Sequence, residues 1–138
     1  MKRIIIIALV LLLVILQVIP VLAATADKEI VSPRYNYLLR TSAYIRINES
    51  TSVAQCNAAC LSTDDYTVKV ECKLQRYMGS FWGTVKTWTA SGLQMANASG
   101  SWAVPSGYTY RVYATFRVYD SSGNLLESDV ITDTYSFY

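Results

Sequence analysis

Tyr108-Thr109-Tyr110-Arg111-Val112-Tyr113-Ala114-Thr115-Phe116-Arg117-Val118-Tyr119 is the stretch whose reading decides the fold. Arg111, Tyr113, Arg117 and Tyr119 share one face of a period-two pattern, and apolar residues alternate with them. Turn residues bound the stretch on both sides, Pro105-Ser106-Gly107 before it and Ser121-Ser122-Gly123-Asn124 after it. This is the signature of a half-buried strand.

The same alternation extends outward. Ala43, Ile45 and Ile47 mark a first strand; Ala54, Cys56, Ala58 and Cys60 share a face in a second. Val68, Val70, Cys72 and Leu74 alternate with Lys69, Glu71, Lys73 and Gln75 in a third. A fourth strand is expected over 82–90, a weaker fifth over 94–103, and a last one ending near Phe137. No helical periodicity interrupts them. About seven strands in one small domain predict an all-β antiparallel β-sandwich.

Two hairpins can be placed by register. Gly79-Ser80 as a two-residue type II′ loop opposes Tyr77 to Trp82, Leu74 to Val85, Cys72 to Thr87 and Glu71 to Trp88. It also sets Lys73 against Lys86, an unfavourable pair. In the second hairpin, a five-residue loop from Asp120 to Asn124 opposes Arg117 to Glu127 and Arg111 to Asp133. Those two ion pairs give carboxylates of the last strand a structural role.

Val104-Pro105-Ser106-Gly107-Tyr108-Thr109-Tyr110-Arg111-Val112 resembles the entry to the sixth strand of immunoglobulin/fibronectin III-like sandwiches, where a tyrosine packs into the corner between sheets. More widely, the chain from about Ser32 resembles a family of small secreted Gram-positive bacterial proteins with no assigned function. Ser32-Pro33-Arg34-Tyr35, Leu74-Gln75-Arg76, Trp82-Gly83-Thr84-Val85-Lys86-Thr87-Trp88 and the Gly107–Val112 run carry that resemblance. It implies a fold and an exported location, and it brings no catalytic residues.

The N-terminus supports export independently. Lys2 and Arg3 precede an apolar run from Ile4 to Ile19, Pro20 ends it, and Ala23, Ala24 and Ala26 follow. That order predicts a signal peptide over 1–26, cleaved after Ala23 or Ala26, then an extended segment over 27–40 and the sandwich over 41–138. An uncleaved anchor is the alternative. The leader holds 21 of the apolar residues and two of the 12 basic ones. What remains balances ten basic against ten acidic residues and contains all 17 aromatics. A neutral domain without basic runs predicts no nucleic-acid partner, and no membrane partner after signal cleavage. The expected location is extracellular or cell-envelope associated. Asn48-Glu49-Ser50 and Asn97-Ala98-Ser99 match glycosylation sequons, relevant only in a eukaryotic host.

The chain has no His. That removes His-dependent nucleophile systems and His-ligated zinc. Three Cys in an exported domain allow one disulfide, for which Cys56 and Cys72 are the candidates; three buried free thiols are the alternative. Cys56 and Cys60 lie about 13 Å apart along a strand, too far to share a metal. The acids fall into a turn pair, Asp64-Asp65, and a one-faced set, Glu127, Asp129 and Asp133. Neither has the facing geometry a glycosidase needs. No catalytic residue, metal or cofactor is expected, and the reading is a protein that is not an enzyme.

The aromatic residues are the functional candidates. In the registers above, Tyr77, Trp82 and Trp88 share a face, as do Tyr113, Tyr119, Arg111 and Arg117. Placed in one sheet, these seven would present a surface able to bind a cell-wall or extracellular glycan, or a protein. Cross-strand packing within a small sheet, or burial of both Trp under residues 32–39, is the plainer explanation. A purely structural envelope protein and a small carboxylate-dependent hydrolase are the alternative functions.

Overall fold

The computed structural model describes residues 35–138. The signal peptide expected over 1–26 and the first part of the 27–40 segment lie outside the described residues. Seven strands follow: β1 (Leu38–Asn48), β2 (Val53–Ser62), β3 (Thr67–Tyr77), β4 (Trp82–Leu93), β5 (Met95–Ala103), β6 (Tyr108–Tyr119) and β7 (Leu125–Phe137). All pair antiparallel, in a three-stranded sheet β1-β2-β5 and a four-stranded sheet β4-β3-β6-β7. The expected all-β sandwich is what the chain forms. Among the described residues no helix is long and apolar enough to cross a membrane.

Alternation builds the core. Val68, Val70, Cys72 and Leu74 of β3 and Val112, Ala114, Phe116 and Val118 of β6 are each at most 1% exposed. They meet a second layer of smaller residues, including Ala54, Cys56, Ala58 and Cys60 of β2 and Ala98 of β5. The corner tyrosine is Tyr110. It is fully buried, and its hydroxyl donates to the Pro105 carbonyl at 2.7 Å, which satisfies its polar atom inside the core. Burial raises its pKa. Gly107 turns the chain into β6 at φ +89°, a conformation that Gly adopts without strain.

Both predicted hairpins exist, and a β-bulge shifts each register by one residue. In the β3–β4 hairpin Gly79 has φ +93°, as a type II′ loop requires, and Tyr77 pairs with Trp82. Val85 is then an extra residue, so Leu74 faces Lys86 and Cys72 faces Trp88. The bulge removes the Lys73–Lys86 opposition; Lys73 instead pairs with Glu71 at 2.8 Å. In the β6–β7 hairpin Leu126 is the extra residue: Tyr119 faces Leu125, Val118 faces Glu127 and Val112 faces Asp133. Arg117 and Arg111 face Ser128 and Thr134. The two predicted Arg–carboxylate pairs do not form, because the bulge turns all three acids of β7 to the inner side.

There the acids close one edge of the sandwich. Glu127 accepts the backbone N–H groups of Tyr37 and Leu38 at 2.8 Å and of Asn36 at 3.2 Å. Asp129 accepts the hydroxyls of Tyr35 and Thr41, and Asp133 accepts the N–H of Ile45 at 2.9 Å. Bonding to Asp129 raises the pKa of Tyr35. Carboxylates thus satisfy donors of β1 that no neighbouring strand reaches. The opposite edge, between β4 and β5, is closed by aromatic residues. Trp88 lies directly over Gly100, and Lys86 stacks on the Trp102 ring at 4.5 Å.

The three cysteines are buried free thiols. β2 and β3 belong to different sheets, so Cys56 and Cys72 are not strand neighbours but near each other across the core, each as a free thiol. Burial pushes the Cys56 thiol up to about 12, helped by the charge of a Cys72 thiolate, and pushes Cys60 and Cys72 up to about 11. They pack as small apolar residues.

The Asp120–Asn124 loop carries a pH dependence. The Asp120 carboxylate accepts the Asn124 side-chain N–H and backbone N–H at 2.8 Å and the Ser122 N–H at 2.9 Å. The Asn124 side chain, then its backbone N–H, holds Asp120 below the ordinary carboxylate range. A depressed folded pKa contributes stability that is present above the unfolded pKa and lost as pH falls through the folded one. Melting temperatures of wild type and Asp120→Asn should therefore differ at neutral pH and converge as pH falls from about 5 toward 2. A gap that does not change with pH would remove this loop as an acid-sensitive element.

Candidate functional site

The outer face of the four-stranded sheet is where the predicted binding residues gather, in two groups. Row by row, β4, β3 and β6 contribute Trp82 beside Tyr77; Thr84 beside Gln75 and Arg111; Thr87 beside Lys73 and Tyr113; and Ser91 beside Lys69 and Arg117. Thr134, Thr132 and Ser128 of β7 extend the last three rows.

The first group centres on Arg111. Its guanidinium lies 4.2 Å from the Trp82 ring centroid and 5.3 Å from that of Tyr113, and its Nε donates to Gln75 Oε1 at 2.8 Å. Tyr77 packs at a tilt against Trp82, with centroids 5.2 Å apart. The hairpin supplies Tyr77 and Trp82, β6 supplies Arg111 and Tyr113, and β3 lies between them. A stacked guanidinium is held flat and partly desolvated while its terminal nitrogens keep donor capacity. This arrangement can present planar donors to a ligand oxygen beside an aromatic surface. Met78 and Phe81 at the hairpin tip, 46% and 60% exposed, lie on the side of Gly83, which alternates with Trp82, and take no part in this group.

The second group holds Arg117 and Tyr119, four or more residues further along β6 and so about 13 Å or more from Tyr113. Lys69 lies directly opposite Arg117, and its ammonium sits 4.8 Å from the Tyr119 ring centroid. A shallow depression of about 320 Å³ is lined here by Lys69, Glu71, Thr89, Ser91 and Arg117.

Trp88 does not join either group. The Val85 bulge places it opposite Cys72 on the inner side, half-buried against the core and over Gly100. The expectation that Trp82 and Trp88 share a face is corrected on that ground. Gln75, Lys69 and Lys73 are the residues of this face that the aromatic pattern missed. Their alternation with the core residues of β3 was visible, but their adjacency to Arg111 and Arg117 depends on β3 pairing with β6, which connects strands far apart in sequence.

The acids form no comparable site. Glu127, Asp129 and Asp133 are engaged by β1, and Asp64 and Asp65 lie exposed between β2 and β3. Among the described residues no cluster of three or more His, Cys, Asp or Glu is arranged to hold a metal ion.

No family model and no curated protein matches the chain. Among solved structures, it has partial similarity to a family 76 glycoside hydrolase from a bovine Bacteroides thetaiotaomicron strain, at 11% identity and TM-score 0.37. The match covers 74% of this chain but only 21% of the hydrolase chain. A second is AggA, the major subunit of aggregative adherence fimbriae type I from Escherichia coli, at 14% identity and TM-score 0.38, covering 70% of this chain and 91% of that one. Likeness this distant carries no argument about function.

Proposed function

We propose that the chain is an exported, non-catalytic binding module that recognises a cell-surface or extracellular ligand, glycan or protein, through the outer face of its four-stranded sheet. The observation that carries this is the Arg111 guanidinium held between Trp82 and Tyr113 and fixed by Gln75 on a solvent-facing sheet. Arg, Trp and Tyr are the residues that concentrate binding energy at interfaces, and a stacked Arg presents its donors with little ordering left to do. The fibronectin III-like character and the secreted Gram-positive setting suggested by the sequence belong to the same reading. So does the absence of catalysis, which the engagement of the β7 carboxylates by β1 supports.

Titration of Trp fluorescence against a panel of wall glycans, plant polysaccharides and extracellular proteins tests it. A ligand of the wild type should lose roughly ten- to a hundredfold in affinity with Trp82→Ala or Arg111→Ala, the loss of an interface anchor. Trp88→Phe, on the inner side, should leave affinity unchanged. Ligands that bind equally well to wild type and Trp82→Ala would defeat the assignment of this face.

A further inference from the structure

The domain has equal numbers of acids and bases beyond residue 26, yet its charges are sorted. Lys69, Lys73, Arg111 and Arg117 all occupy the outer face of β3 and β6, with Glu71 as the one acid among them. Glu71 is paired with Lys73. The acids that could neutralise the remaining cations are on β7, and the Leu126 bulge has turned them to the other side of the sheet. Lys69 and Arg117 therefore sit directly opposed with no carboxylate in ion-pair range among the described residues. Like charges facing each other across strands destabilise a sheet. A face that keeps this opposition, while opposite charges are used elsewhere, is suited to an external anion.

We infer that the ligand of this face is an acidic polysaccharide, lying along β3 and β6 with its carboxylate or sulfate groups at Arg111 and at the Lys69–Arg117 pair. The inference rests on the binding-face reading above and specifies its ligand. Arg111 and Arg117 are six residues apart on one strand, about 20 Å, so the cations are spaced rather than continuous. Hydroxyls lie between and beside them: Thr87, Thr89 and Thr132 in the intervening rows, and Thr84 and Thr134 in the row of Arg111, match a hydroxyl-rich polymer. Trp82 and Tyr77 add an aromatic platform for a sugar ring at one end. Glu71, midway along the track, is held by Lys73, which leaves Arg111 at one end and the Lys69–Arg117 pair at the other without a carboxylate partner among the described residues.

The test uses the purified protein with three polymers: polygalacturonate, an uncharged galactan and single-stranded DNA, at low and high salt. Polygalacturonate should bind best, and its affinity should fall about tenfold or more as salt screens the contact. Lys69→Gln combined with Arg117→Gln should weaken it at least about tenfold with no loss of melting temperature. Ser128→Glu and Thr134→Glu set carboxylates opposite Arg117 and Arg111; together they should abolish binding while the fold is kept or made more stable. Salt-independent binding of both polysaccharides, still sensitive to Trp82→Ala, would overturn the acidic ligand and leave the binding face standing. Preference for DNA would overturn the polysaccharide. Absence of binding to polygalacturonate overturns the inference outright, whereas the binding face itself is judged by Trp82→Ala against the wider panel.

Discussion

Glu127→Ala should lower the stability of the domain by about 2–4 kcal/mol, the cost of removing a charged acceptor from several backbone donors at once. The side chain is the acceptor for three consecutive N–H groups, those of Asn36, Tyr37 and Leu38. Leu38 is 2% exposed, so water cannot easily replace the lost partner. Its side chain is also part of the core, and loosening its backbone loosens the start of β1. Glu127→Gln separates the contributions. It keeps one acceptor oxygen but turns an amide N–H toward backbone donors, so about half the loss should remain. Urea unfolding gives the comparison, with Asp64→Ala, an exposed turn change, expected within about 0.5 kcal/mol of wild type. A Glu127→Ala domain as stable as the Asp64→Ala one would show that the Glu127 bonds do not hold the start of β1.

The same residue shows where sequence reading stops. All seven strands were legible, because period-two alternation and turn residues are local properties. The Gly79-Ser80 and Asp120–Asn124 loops were legible too, and so was the shared face of Glu127, Asp129 and Asp133. Which face that was depended on Leu126. A single inserted residue moves every later side chain across the sheet, and alternation within one strand carries no trace of it. Val85 did the same to Trp88. The unfavourable Lys73–Lys86 pairing was the one warning in the sequence, and the bulge relieves it. Arg117 and Arg111 have no such warning, since the slipped register offered them attractive partners.

Those two bulges also shape the candidate site. The Val85 bulge takes Trp88 off the outer face and leaves Trp82 there; the Leu126 bulge takes the acids off it and leaves the Arg residues there. Without the bulges the face would be a uniform aromatic sheet with self-compensating charges; with them it is an Arg-aromatic cluster and a cation pair, with the opposite charges working at the β1 edge.

Gly100→Ala should be among the most destabilising single-methyl changes available to this chain, at about 1–3 kcal/mol, the range for overpacking a filled site. A β-carbon there would overlap Nε1 and Cε2 of Trp88 and come within 2.7 Å of its Cδ1. Real contacts do not reach such distances, so either the indole leaves its place over β5 or the two edges separate. Nothing else about the position requires Gly: no left-handed φ is found there, and Gly in a strand interior is itself unfavourable by roughly 0.5–1 kcal/mol relative to Ala. The Trp88→Ala background therefore reverses the sign. Trp88→Ala alone should cost about 2–4 kcal/mol by emptying the space between the sheets, and Gly100→Ala added to it should be neutral or stabilising. If Gly100→Ala costs the same with and without the indole, the Trp88–Gly100 contact is not what closes the β4–β5 edge. The binding face supplies an independent check, since Trp82, Arg111 and Tyr113 do not touch this contact. Folded Gly100→Ala protein should keep wild-type affinity for its ligand at temperatures well below its lowered melting point, so that one Trp is needed for folding and the other for recognition.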